Sequence, residues 1–210
     1  MKENKRTLVL TTLVLLLPVA VGLLLWNQLP AQMPIHWNFA GEVDGWSSRL
    51  FAVVGLPALL LVFHWICAVA VCIDPKHQNI PGKVLQLVLW LVPVIGVCTC
   101  FVVYAIALGL VMDMNRIVGL LIGQLFVILG NYLPKIQRNY TVGYKLPWTL
   151  DDDENWNKTH RLAGKLFVVG GVLMLTSVLT GGFWWMFAVA MVLTFVPGVY
   201  SYCLYRKKNA

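Results

Sequence analysis

His36, Glu42 and Asp44 can share a proton or hold an ion, and further along the 210-residue chain come His64, an acidic run Asp151-Asp152-Asp153-Glu154, and His160. Spacing decides how far each can go. A hydrolytic centre needs a nucleophile beside a base, a pair of carboxylates, or metal ligands at workable intervals. The sequence holds neither H-E-x-x-H nor G-x-S-x-G, and its apolar runs carry no pair of carboxylates. His36, Glu42 and Asp44 match no established metal spacing. The five cysteines are odd in number, and Cys98-x-Cys100 sends its thiols to different sides of a helix, so they read as small apolar residues. No enzyme activity, metal or cofactor is expected. Binding chemistry remains. His36, Trp37, Asn38, Glu42, Asp44 and Trp46 set rings beside an amide and acids, which reads either as a recognition patch or as an interfacial anchor. His64 stays open between a functional intramembrane residue and a neutral histidine bonded to a neighbouring helix.

The elements that must carry these residues follow from composition. Hydrophobic residues make up 59% of the chain and charged ones 12%, and the mean hydropathy is +0.75, far from the roughly 25% charge of a soluble domain. About 20 apolar residues suffice to cross a hydrocarbon core as a helix. Six runs qualify: Thr7–Trp26, Leu50–Ile73, Val84–Met112, Arg116–Leu133, Leu162–Thr180 and Phe183–Cys203. The expected fold is an all-α polytopic integral membrane protein, a bundle of six transmembrane helices. The third is longer than a span requires and holds Pro93, which predicts a kink or an interfacial extension there. The first run follows Lys2, Lys5 and Arg6 but is longer than a signal-peptide core and lacks an A-x-A site, so it reads as a retained helix. With the N-terminus inside, only Arg49 and Arg116 of sixteen basic residues lie outside, which makes both termini cytoplasmic, loop 28–49 external and loop 134–161 internal. The net charge of +7 is then explained by topology and attraction to anionic lipid, without direct nucleic acid binding.

In the outer loop, Ile35, Trp37 and Phe39 alternate with His36 and Asn38 as in a strand, with a turn over Ala40–Gly45. Trp26, Trp37 and Trp46 suit an aromatic belt. In the inner loop, Thr149 or Asp151 can cap a helix, and Asp151-x-x-Glu154 fits a capping box. Trp156, His160 and Gly164 then fall on one helical face at i, i+4 and i+8, with Thr159 beside them and Glu154 in reach of Lys158. This amphipathic helix runs on into the fifth span. Before it, Lys145-Leu146-Pro147-Trp148 should be extended. The block costs too much to bury in lipid, so it is expected at the inner surface, offering a polar, aromatic face to the cytosol. Gly119-x-x-x-Gly123 suits helix packing, either within one chain or in a dimer.

The stretch "GNYLPKIQRNYTVGYKLPWTLDDDENWNKTHRLAGK" resembles the signature of the SdpI family of bacterial membrane proteins. The match runs through Gly130, Asn131, Lys135, Asn139, Gly143, Pro147, Trp148, Thr149, Leu150, Trp156, Thr159, His160, Arg161 and Gly164. The chain departs from it at Tyr144-Lys145-Leu146, where Ile-Arg-Thr is common, and Lys145 lacks the planar fork of Arg. "LPAQMPIHWNFAGEVDGW" is similar to the DUF1648 domain of unknown function that many members share. The resemblance implies one membrane domain over 1–210, with a DUF1648-like part (1–83) and an SdpI-like part (84–210). It implies immunity to a secreted hydrophobic peptide toxin, and a receptor role in which a cytosolic transcriptional autorepressor is recruited to the membrane. The alternative is a small transporter or exporter, with Pro93 and Gly170-Gly171 as helix breaks, although the two halves share no repeated motif. A third reading has the block only staple helices together.

Overall fold

A computed structural model describes the backbone of residues 2–180 and 183–209, with the side chains of 5–176, 179 and 185–209. Helix α1 (Lys2–Leu24) leads into strands β1 (Gln32–Trp37) and β2 (Val43–Ser48), then a π-helical turn (Phe51–Gly55) continuous with α2 (Leu56–Ile73). After a 3-10 turn (His77–Asn79) come α3 (Gly82–Ala107), α4 (Met114–Tyr132), a second 3-10 turn (Leu133–Lys135), α5 (Pro147–Asp151), α6 (Asp153–Thr180) and α7 (Phe183–Lys208).

Among the described residues, five helices are long and apolar enough to cross a membrane: Lys5–Leu24, Phe51–Ile73, Gly82–Ala107, Met114–Lys135 and Trp185–Lys208. The expected fifth run lies in α6, which opens with Asp153, Glu154, Asn155, Asn157 and Lys158 and carries Lys165 inside its apolar part. Val9, Leu13, Leu59, Phe63, Ile66, Val192, Phe195 and Val199 are exposed. Water would not tolerate so much apolar surface, whereas hydrocarbon suits it. The third run ends earlier than expected: α3 stops at Ala107, and Gly109, at φ +92, turns the chain toward α4.

The fold is mainly helical, as expected, and the strand expected in the loop becomes half of a β1–β2 hairpin. The predicted strand exists but ends at Trp37, and a second strand pairs antiparallel with it, setting Gln32 against Ser48 and Trp37 against Val43. The turn is Asn38–Glu42 rather than Ala40–Gly45. Asn38 builds it: its Oδ1 accepts the Ala40 and Glu42 amides at 2.9 and 3.0 Å, and Gly41 takes φ +83. An Asx-type side chain closing on the backbone ahead of it competes with the strand, so Phe39 falls in the turn.

The chain divides into two compact units. In the first, Met1–Cys72 with Leu85–Met114, the core is Leu29, Met33, Ala52, Val53, Cys100, Val103 and Tyr104, onto which Ile35 and Trp37 of β1 pack. Tyr104 donates to the Pro18 carbonyl at 3.1 Å. His64 is fully buried, with Nε2 3.0 Å from Thr11 Oγ1, which favours the helix-bonded reading. In the second unit, Ile73–Val84 with Asn115–Ala210, α4 and α6 meet through glycines. A Cβ on Gly123 would stand 3.0 Å from Gly171 O, and one on Gly130 2.7 Å from Gly164 O. The expected close approach at Gly123 and Gly164 is therefore made within the chain. Met174, Met186 and Leu193 fill the core beside Phe126 and Phe167.

Candidate functional site: a hairpin patch and a buried loop platform

The hairpin patch rests on two local pairs. His36 Nδ1 lies 2.5 Å from Asp44 Oδ1 across the strands, while Glu42 accepts from Asn38 Nδ2 at 3.2 Å. The three groups of a conceivable ion site are thus engaged separately. Trp46 is 59% and Phe39 58% exposed, whereas Trp37 leans on the core. The hairpin therefore half-buries one aromatic and presents two.

The signature loop behaves differently. Asn139 is fully buried and works as its centre: Oδ1 accepts the Thr141 and Val142 amides at 2.9 and 2.7 Å, and Nδ2 donates to Gln137 O and Val142 O at 2.8 and 3.1 Å. Gly143 has φ +117, and a Cβ there would collide with His160 Nε2, so both the conformation and the space demand glycine. Tyr144 N–H donates to His160 Nε2 at 3.0 Å, and His160 Nδ1 reaches Trp156 O at 2.8 Å. The ring is a neutral Nδ1–H tautomer by this bonding. Burial pushes its pKa down to about 4, against a smaller upward pull from the Trp156 carbonyl. Trp156 stacks on it with ring centroids 4.0 Å apart and donates from Nε1 to Ile136 O at 2.8 Å. Burial also pushes the Tyr144 hydroxyl up to about 12, and it donates to Leu193 O at 2.5 Å.

The capping expectation is corrected by the helix starts. Leu146 is extended as expected, but Pro147 already opens α5. Thr149 sits at the third position of α5, accepting the Leu146 amide at 2.9 Å and donating to Tyr144 O at 2.6 Å. Asp152, not Thr149 or Asp151, caps α6: its Oδ1 accepts the Glu154 amide at 2.9 Å. Extended Asp152 interrupts the helix, so the Asp151-x-x-Glu154 box does not form. Glu154 pairs with Lys158 at 2.6 Å as expected. That bond draws the carboxyl down and the ammonium up, although so exposed a pair stabilises little.

The signature residues sort by burial. Asn139, Thr149, Trp156, Thr159, His160 and Gly164 are buried, Gly143 and Trp148 half-buried, and Asn131, Lys135, Lys145, Pro147 and Arg161 exposed. Trp148 donates to Ser201 Oγ at 2.8 Å and stacks on Tyr205. Lys145 Nζ donates to Thr141 O at 2.8 Å, and Lys135 lies over the Tyr132 ring. Sequence reasoning missed Asp74, Arg138, Tyr144, Asn155 and Ser201. Arg138 Nε lies 2.7 Å from Asp153 Oδ1 and its Nη1 donates to Leu150 O at 2.8 Å. Asn155 donates to Ser201 O at 2.9 Å. Only Asp74, a carboxylate at the edge of an apolar run, offered a signal.

Residues 135–201 match the SdpI/YfhL protein family model, and residues 13–61 match a domain of unknown function, DUF1648. The whole chain aligns with 99% of "Immunity protein SdpI" of Bacillus subtilis (strain 168), at 24% identity over 213 residues. No solved structure matches. The loop built on Asn139 and His160 thus lies in the family segment and the hairpin in the DUF1648 segment; the chain is a multi-pass cell-membrane protein that carries a segment matching the SdpI/YfhL family, preceded by one matching DUF1648.

Proposed function

We propose that the protein gives a bacterium immunity to a secreted hydrophobic peptide toxin. The carrying observation is the alignment, over the full length of this chain, with an immunity protein. In this reading α6 completes six spans, both termini and loop 134–161 are cytoplasmic, and the hairpin is external. Its exposed Trp46 and Phe39, beside Glu42 and Asp44, give an incoming amphiphilic peptide rings and acids at the membrane surface. The exposed Asn131, Lys135, Lys145 and Arg161 are what the inner loop offers a cytosolic autorepressor or anionic lipid headgroups.

The test is survival. A toxin-sensitive strain without its own immunity protein, challenged with the peptide against which the SdpI family's named member protects, should survive when it expresses this chain. Trp37→Ala with Trp46→Ala should lower protection at equal membrane abundance. No protection by the unaltered chain would defeat the reading for that toxin, and full protection by the double variant would leave the hairpin an anchor.

A further inference from the structure

Residues 73–84 connect two apolar helices, yet they fold with 115–210 rather than with the unit that holds most of α2 and α3. The reason is Asp74. The residue is 4% exposed, and its carboxyl group accepts the Lys76 amide at 2.7 Å, the Tyr140 amide at 2.9 Å and the Thr141 hydroxyl at 2.6 Å. Two of these donors lie 66 and 67 residues away in sequence. Asn79 adds a bond from Nδ2 to Arg138 O at 2.7 Å, and Lys76 lies over the Tyr140 ring. Burial raises the Asp74 pKa, and the Thr141 hydroxyl and three amides together outweigh it, so the group is held ionised.

A buried carboxylate held by neutral donors is costly to leave half-satisfied. Asn139 and Lys145 bond Thr141 from within the loop, and Asp74 bonds both the Tyr140 amide and the Thr141 hydroxyl from outside it. We infer that Asp74 is the latch of the signature loop: the Asp74 carboxylate, supplied from beyond the SdpI/YfhL segment, holds the Asn139–Thr141 turn in place, and its release frees residues 136–146 as a local unit. The loop's cytosolic role rests on the function proposed above, whereas the latch itself does not.

Hydrogen exchange by mass spectrometry on the full chain in lipid nanodiscs tests it. In Asp74→Ala, amides within 136–146 should exchange about ten- to a hundredfold faster, with peptides from α7 unchanged. Thr141→Val should give a smaller rise, and Asp74→Ala with Thr141→Val little more than Asp74→Ala alone, because both break the same bond. Asp74→Asn, which keeps the volume and one acceptor oxygen, should fall between. Unchanged exchange in 136–146, or acceleration spread evenly over all peptides, would overturn the latch. Loss of toxin protection bears on the proposed function and leaves the exchange result to decide this one.

Discussion

Both ring nitrogens of His160 are committed, one donating to Trp156 O and the other accepting from the Tyr144 amide. A second proton on the ring would turn the Nε2 acceptor into a donor facing an N–H, in a site 1% exposed. The folded pKa of about 4 lies below the usual 6.5 or so of the unfolded chain. Above pH 6.5 or so both states are neutral and the full stability is present; as pH falls, the unfolded state takes up the proton first, so stability is lost toward pH 4. The loss should reach about 3 kcal/mol, read as a falling Tm in nanodiscs, and His160→Gln should flatten that slope even if its starting Tm is lower. The face on which His160 lies was readable, because i, i+4, i+8 spacing alone brings Trp156, His160 and Gly164 together. What the ring does there was not. Its partners depend on where the backbone of Tyr144 passes, and that depends on the positive φ of Gly143 and on Asn139. Asp74 stood out as a carboxylate at the edge of an apolar run, but its partners were hidden for the same reason, since no local pattern points to donors more than sixty residues on.

Helices α4 and α6 pack closely because glycines recur every seventh residue on both, Gly123 and Gly130 facing Gly171 and Gly164. Apolar side chains lose little water by packing in lipid, so helix association there depends on close backbone approach. A methyl on Gly130 would stand 2.7 Å from both Gly164 O and Val168 N, which are backbone and cannot rotate away. Gly130→Ala should therefore force the helices apart and destabilise the protein by about 1–3 kcal/mol. Gly198→Ala, inside α7 with nothing within 4 Å of the new methyl, should be neutral or stabilising by up to about 1 kcal/mol. Thermal melting of the two purified variants checks the pair, and equal Tm losses would refute the packing account. At this scale the sequence was informative about helices, whose apolar length survives any context. It was less so about the hairpin and the caps. One strand was visible from the Ile35–Trp37 alternation, but VDGWSS has no such alternation and becomes β2 only by pairing with β1. Four acidic residues in a row left the cap ambiguous, and the extended backbone of Asp152 settled it.

For the whole molecule, α6 is the element on which the topology turns. The five helices that are plainly apolar enough to cross would, alone, place the two ends of the chain on opposite faces. With α6 crossing as a sixth, Lys5 and Arg6 share a face with Arg206, Lys207 and Lys208, as the distribution of positive charge favours. The polar opening of α6 is consistent with this, because Asp152, Glu154 and Lys158 make their bonds at its first turns and the apolar residues begin only at Leu162. Lys165 lies near that end, where a long side chain can reach the headgroups. Single cysteines at Ala40, Asp151 and Lys207, all exposed, in a chain whose five native cysteines are replaced, separate the possibilities. An impermeant maleimide on intact cells should label position 40 strongly, and positions 151 and 207 only after permeabilisation. Labelling at 207 but not 151 would mean that α6 turns back without crossing. Labelling at 151 in intact cells would invert the whole arrangement and move the signature loop, with its Asp74 latch, to the outer surface.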